Sequence, residues 1–303
     1  MTTLQQAIDD GARTLRRAGV VCGHGTDNEY DEAAWLALHA IGLSPAAPAE
    51  SRELDAAEAV AIQRWIERRI DSRQPAAYLI GEAWFAGYPF TISNAVLVPR
   101  SPIAELIRDQ YAPWLQPQQL GRVLDLCTGS GCIGIASALH LPWLEVDLSD
   151  ISAPALDVAR INIERHQVGD RVRAVQSDWF DGLVGREYDL IVSNPPYVPV
   201  AEARSLPAEY QAEPAIGLAS GHDGLDAAAQ ILTRAAAHLR PRGHLILEVG
   251  DSWRRLDAAL GRLPLTWLEF SDGGDGVCLL QRDDLLEAAD QLQSWLEERQ
   301  RSE

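Results

Sequence analysis

From Arg122 onward, short apolar runs alternate with helical patterns. Few chain organisations satisfy such a pattern except strands laid side by side with helices on both faces. Apolar segments at 123–127, 144–148, 172–175, 190–193 and 245–249 predict five strands. Between them, helices are predicted over 132–139, 154–166 and 226–239. In the second, Pro154 sits in the first turn and Gly169 lies just past the end. The stretch Arg240-Pro241-Arg242-Gly243 reads as the stop of the third. Segments 265–270 and 277–281 flank Ser271-Asp272-Gly273-Gly274-Asp275-Gly276 and predict an antiparallel terminal hairpin. The expected fold class is α/β: a doubly wound, mostly parallel, Rossmann-like sheet. One further helix is expected in the tail, with Leu285, Ala289, Leu292 and Leu296 in line.

Upstream the period changes. Asp55-Ala56-Ala57-Glu58 has the form of a capping box. Behind it Ala59, Ile62, Ile66 and Ile70 recur at spacings of three and four, and Gln74-Pro75 ends the helix. An earlier helix is expected over 31–41, ended by Gly42. The run from Trp84 through Gly87 to Ile92 reads as a hairpin, and a short helix follows near 103–110. The predicted division is a helical domain at 1–83, a hairpin and linker at 84–110, and a catalytic domain at 111–303.

The chain carries a formal net charge of −18, and every basic side chain is an arginine. Gripping nucleic acid requires a basic footprint, so the acidic balance favours a basic protein partner. No apolar run reaches the ~18 residues that a membrane span requires. The start, Met1-Thr2-Thr3-Leu4-Gln5-Gln6, has no basic flank and no apolar core of a secretory signal. Cys22, Cys127, Cys132 and Cys278 form no CxxC pair and no metal-ligand spacing. Reduced thiols, a cytoplasmic location and no metal are therefore expected.

Two loops carry chemistry. The first, Asp125-Leu126-Cys127-Thr128-Gly129-Ser130-Gly131, joins a strand to a helix, where glycines let the backbone approach a ligand. With Gly134 it also satisfies the G-x-G-x-x-G dinucleotide pattern, so an NAD reading must be weighed. Asp125, Thr128 and Ser130 favour S-adenosylmethionine. Asp150, at the end of the second strand, suits ribose hydroxyls under either reading.

The second loop, Asn194-Pro195-Pro196-Tyr197, decides between them. Those four residues in that order arise by chance on the order of once in a thousand chains of this length. They lie at the carboxyl end of a strand, where open α/β sheets bind ligands. A planar NH2 group is a weak nucleophile because its lone pair is delocalised. Asn194 offers a side-chain carbonyl and Pro195 a backbone carbonyl to hold its two protons, the prolines stiffen the pair, and Tyr197 can pack on the planar group. An adenine N(6)-methyltransferase would use the same logic, and the net charge argues against it. A non-catalytic module for ribosome assembly would not need an intact tetrapeptide.

These motifs resemble the glutamine N(5)-methyltransferases that act on translation proteins. The resemblance runs from about residue 30 to residue 282 and implies a class I methyltransferase fold, a helical N-terminal substrate-recognition domain and S-adenosylmethionine as cofactor. It implies cofactor contacts from residues 127–131, Asp150, Asn194, and Asp178 with Trp179 in the adenine-lining segment. Cys127 departs from the glycine that many members carry. Glu213-Pro214 and Gly221-His222-Asp223-Gly224-Leu225 match a further segment of the family. The release-factor branch carries P-R-P-[DE]-T-E after the hairpin. Here Pro99-Arg100-Ser101-Pro102-Ile103-Ala104-Glu105-Leu106 is similar to the branch that modifies large-subunit ribosomal protein three, with Arg100 expected on the substrate side beside Asn194, Pro195 and Tyr197.

Overall fold

The computed structural model describes residues 2–44 and 52–302. Met1, where the reading of the chain's start begins, and residues 45–51 of the helical segment lie outside them, as does Glu303.

Four helices open the chain: α1 (Leu4–Arg17), α2 (Glu29–Ala40), α3 (Ala56–Ser72) and α4 (Ala76–Ile80). Capping starts the first three. Thr3 with Gln6 and Asp55 with Glu58 form reciprocal capping boxes, and Asn28 accepts the Asp31 amide. The boxes satisfy amides that a helix start would otherwise leave unpaired, each at about 1 kcal/mol. The inward faces of α1, α2 and α3 (Leu4, Ile8, Leu36, Ile62, Ile66) share one apolar cluster.

A tight hairpin follows, β1 (Glu82–Phe85) and β2 (Tyr88–Thr91). Its turn residues, Ala86 and Gly87, both have positive φ, the pattern that matches strand twist. The hairpin is more than a connector. Phe85 and Phe90 enter the core of the catalytic sheet, and Tyr88 packs edge-on against His140. A second apolar cluster (Ala77, Val96, Val98, Ala155, Val158) ties α4 and the segment after the hairpin to the catalytic unit.

After α5 (Ile103–Arg108) come β3 (Arg122–Leu126), α6 (Cys132–His140), β4 (Glu145–Asp150), α7 (Ala153–Arg165), β5 (Val172–Gln176) and β6 (Tyr188–Ser193). Three short helices, α8 (Val200–Ser205), α9 (Ala208–Gln211) and α10 (Ala215–Leu218), precede α11 (Asp226–Arg234), β7 (Leu239–Glu248), α12 (Trp253–Ala259), β8 (Thr266–Trp267) and β9 (Val277–Gln281). The sheet order is β5-β4-β3-β6-β7-β9-β8. The first five strands are parallel, and β9 is antiparallel to both β7 and β8. Alternate strand residues feed opposite faces, as the two-residue period demands. Val123, Leu190, Val192 and Ile246 join one core with α6 and α7. Leu124, Ile191, Leu245 and Leu247 join the other with α11 and α12. Burial of each such aliphatic side chain contributes about 1.5–3 kcal/mol.

The expected strands and doubly wound sheet are present; four boundaries differ. The helix from Asp226 stops at Arg234, and Leu239 already begins β7. The stretch 240–243 expected as a helix stop is therefore an irregularity within that strand, where its register against β6 shifts. The outer hairpin arm is only Thr266–Trp267, because Glu105 takes the amides of Ser271 and Asp272 and turns the chain out of the ladder. The tail is two helices, α13 (Arg282–Glu287) and α14 (Ala289–Ser302). The break lets the first stay beside β7 while the second lies along α11, and it leaves Ala289 exposed rather than in line with Leu292. Finally, α8, α9 and α10 are too short to show a period. Each follows a proline (Pro199, Pro207, Pro214) whose fixed φ suits the entry to a helical turn.

Candidate active site

The strand order reverses between β3 and β6, since the chain leaves β3 toward β4 on one side and returns to β6 on the other. The loops after these two strands meet at that switch point, the usual ligand position in an open α/β sheet. A cavity of about 800 Å³ opens there. Cys127, Thr128, Gly129, Ser130 and Asp150 line one side. Asp178, Trp179, residues 194–197 and Arg100 line it as well. The two loops singled out in the sequence are thus neighbours, although β3 and β6 are some sixty residues apart.

Asp125 and Gly131 do not line the cavity. Asp125 lies beneath the loop, fully buried; one carboxylate oxygen accepts from the Thr128 hydroxyl and from the Gly134 amide at 2.8 Å. Its other oxygen has no partner. Burial pushes this carboxyl up to about 7, with the charge of Asp150 adding to the shift. The Thr128 hydroxyl, expected to face a ligand, is thereby committed to the loop. Gly131 caps α6 with φ of 83°, and a Cβ there would press on Ile135 and Leu148 at 3.0 Å. Gly134 serves packing: a Cβ would stand 2.3 Å from Leu148, so the third glycine of the dinucleotide pattern lets the helix sit on the sheet.

Cys127 has φ of 62°, left-handed backbone that suits glycine. Asp150 ends β4 and is held by two backbone amides, Gly129 and Ser152, each at 2.9 Å. Burial raises its pKa above the ordinary value and the backbone donors oppose that shift. With those contacts in place the carboxylate lies at the cavity wall with acceptor capacity remaining. Exposed Ile151 and half-buried Trp179 offer apolar faces beside it. Trp179 also has positive φ; Ser177 holds this turn by donating to the Trp179 carbonyl and accepting from the Gly182 amide, both at 2.8 Å.

The tetrapeptide is clamped from behind. The Tyr197 hydroxyl donates to Glu248 at 3.2 Å, and its carbonyl accepts from Ser252 at 3.0 Å. A Cβ on Gly224 would stand 2.2 Å from that carbonyl, and one on Gly250 would stand 2.5 Å from the ring. Glycines here admit the tyrosine. Tyr197 is therefore held by its edge and its backbone. Arg100, expected to face substrate, is engaged by Glu213 through two hydrogen bonds of 2.6 and 2.7 Å, and its guanidinium lies over the Tyr210 ring.

Four contributors were not among the residues assigned to the site from the sequence. Glu248 and Glu213 are buried acids behind the site, Tyr210 lines its far wall, and Asn162 ties the glycine loop to the hairpin by donating to the Ser130 and Thr91 carbonyls at 2.9 Å. Only Glu213 lay in a noted motif. A polar residue at the carboxyl end of an apolar strand was the available signal for Glu248.

A cofactor with a positive sulfonium, a ribose and an adenine fits this cavity. It meets the carboxylates of Asp150, Asp178 and Asp251, hydrogen-bond acceptors for hydroxyls, and the flat apolar faces of Ile151 and Trp179. Among the described residues no cluster of His, Cys, Asp and Glu could hold a metal ion, and no helix is long and apolar enough to cross a membrane.

Residues 6–81 match the PrmC N-terminal domain family, and residues 111–207 match the Methyltransferase small domain family. The Ribosomal protein uL3 glutamine methyltransferase of Neisseria meningitidis serogroup A is 46% identical over 290 residues, covering 94% of this chain and 95% of its own. Its namesake from Francisella tularensis is 44% identical over 299 residues, covering 97% and 95%. That of Bordetella pertussis is 42% identical over 288 residues, covering 94% and 97%. With that identity running through nearly the whole length of each, this chain belongs to the family of ribosomal protein uL3 glutamine methyltransferases.

Proposed function

We propose that this chain moves a methyl group from S-adenosylmethionine to the side-chain amide nitrogen of a glutamine in ribosomal protein uL3. The observation that carries the reading is the juxtaposition of the residue 127–130 loop and Asp150 with residues 194–197 in one cavity, whose lining also includes Arg100, Tyr210 and Ile216. One side suits the cofactor and the other a side chain reaching in from a protein. The names of the relatives support uL3 over release factors, and the net charge of −18 suits a basic substrate rather than nucleic acid.

S-adenosylmethionine, when bound, supplies an electrophilic methyl group. The chain's own residues orient the nucleophile. The Asn194 carbonyl and the Pro195 carbonyl accept hydrogen bonds from the two N–H groups of the glutamine amide, so the nitrogen would face the methyl donor. Pro195 and Pro196 keep the two acceptors stiff. Apolar walls at Val98, Pro99 and Leu218 limit water around the reacting nitrogen. Asp150 and residues 127–130 bind and orient the donor, with Asp178 and Trp179 beside the adenine. Residues 1–83 serve as the recognition unit for the protein substrate, residues 84–110 as hairpin and linker, and residues 111–303 as the catalytic unit, in a cytoplasmic enzyme.

Transfer of a tritiated methyl group separates the alternatives. Purified uL3, a peptide-chain release factor and DNA are offered in parallel. Label in uL3 alone is the expected result; label in release factor or DNA with none in uL3 would overturn the substrate assignment.

A further inference from the structure

We propose that Glu248 is a positioning residue for methyl transfer: its buried carboxylate holds the Asn194 side chain with the NH2 toward Glu248 and the carbonyl toward the substrate, and it fixes Tyr197 by the hydroxyl. The inference rests on the glutamine methyltransferase reading.

Glu248 is the last residue of β7, opposite Val277 on β9, and is only 3% exposed. A carboxylate there is costly, because burial disfavours charge. Among the described residues it takes part in no ion pair. Its acceptors serve neutral donors instead: the Ser101 hydroxyl on Oε2, the Tyr197 hydroxyl on Oε1 at 3.2 Å, and the Asn194 side chain against the same carboxylate. Two of the three belong to the tetrapeptide. An apolar residue could close the end of a central strand; a carboxylate adds strong acceptors aimed at this loop.

Direction follows from charge. An asparagine amide presents a donor on one side and an acceptor on the other. Beside a carboxylate the donor side is attracted and the acceptor side repelled, so the carbonyl must face away. That is the orientation needed to accept a hydrogen bond from the NH2 group of a glutamine amide. In the flipped form, two NH2 groups would face one another and the nucleophile would lose its acceptor.

Titration gives a readout that packing alone would not move. Burial pushes the Glu248 carboxyl up to about 7, while the donors Ser101, Tyr197 and Asn194 and the nearby Arg100 charge oppose the shift. The charge of Asp251 acts on the same tyrosine. Above that pH the ionised carboxylate accepts all three donors. As pH falls through it, the added proton removes acceptor capacity and the Asn194 amide is no longer held in one orientation. The rate of transfer should therefore fall on the acid side of about 7, with cofactor affinity little changed.

The test is single-turnover methyl transfer to uL3 by the full chain across that pH range, with S-adenosylhomocysteine affinity measured in parallel. Glu248→Gln can turn its own NH2 toward Asn194. Its rate should fall on the order of tenfold to a hundredfold, cofactor affinity should stay within about threefold, and the acid limb near neutrality should vanish. Ser101→Ala removes one donor from the carboxylate without touching Asn194, so the acid limb should move to higher pH by about half a unit. No methyl transfer by the wild-type chain overturns the substrate reading and this inference with it. A wild-type rate and pH profile in Glu248→Gln, beside an active wild type, overturns this inference alone. If Glu248→Gln fails to fold, Ser101→Ala decides, and an unmoved acid limb overturns the role.

Discussion

Arg100 and Glu213 face each other as a bidentate pair across 113 residues of chain, with N–O distances of 2.6 and 2.7 Å. The pair links the segment after the hairpin to the segment after the tetrapeptide. Glu213 also accepts from the Val98 amide at 3.0 Å, and the buried His24 ring of the helical unit stands 3.6 Å from its other oxygen. Tyr210, three residues earlier, packs between His24 and Arg100 and lines the cavity. Arg100 therefore braces the lining of the cavity.

That brace has a pH signature. Desolvation would raise the Glu213 pKa, but His24 and Arg100 overcome it and hold it at about 2, against 4.5 for the free side chain. A depressed folded-state pKa stabilises the fold above the unfolded value, and the contribution is lost as pH falls from 4.5 through about 2. Unfolding free energies of wild type and Glu213→Gln should differ by about 3 kcal/mol near neutrality, at about 1.4 kcal/mol per pH unit, and converge in acid. Urea melts at a series of pH values measure it; a constant difference would refute the assignment.

Arg69 is fully buried between Glu32 of its own helical unit and Glu209 of the catalytic unit, and it donates to the Val21 carbonyl at 3.1 Å. Removing it leaves the buried Glu32 without an ion-pair partner among the described residues and Glu209 with Arg73 alone, at 2.8 Å. Arg69→Ala should cost about 3–5 kcal/mol. Denaturant melts with probes in each unit should also show the two transitions separating. A loss within experimental error would mean that the pair is worth no more than a surface contact.

Asp150→Ala should weaken S-adenosylhomocysteine binding by about 1.5–3 kcal/mol while leaving the rate at saturating cofactor nearly unchanged. The carboxylate lines the cavity, and under the proposed function its role is to bind the cofactor, apart from the amide being methylated. Calorimetry and single-turnover rates on one preparation separate the two effects, and a large fall in the saturated rate would contradict the role.

Asn194→Ala should show the opposite pattern, a rate loss on the order of a hundredfold with cofactor affinity far less affected. Near-normal turnover would reduce the tetrapeptide to a rigid turn.

Gly224→Ala probes the clamp without altering a reacting group. Its φ is 85°, and the added carbon would stand 2.2 Å from the Tyr197 carbonyl. The loop must shift, and methyl transfer should fall on the order of tenfold to a hundredfold while circular dichroism stays native. Full activity would show that Tyr197 tolerates displacement.

The doubly wound sheet and the two loops at its switch point were legible in the order of residues alone. These are written in short-range patterns: an unbroken apolar run at Leu190, Ile191 and Val192, a capping box at Asp55, a glycine loop behind a strand, a tetrapeptide behind another. Only the tertiary structure decided what each side chain does there. Asp125 turned inward to hold Thr128 and Gly134, because a carboxylate beneath a glycine loop finds its donors in the loop itself. Arg100 met Glu213, Tyr197 met Glu248 and Arg69 met Glu209, each pair more than fifty residues apart in the chain. Such partners are chosen by burial, since a charge or hydroxyl removed from water must pair with whatever the fold brings within reach, and one-dimensional spacing carries no record of that.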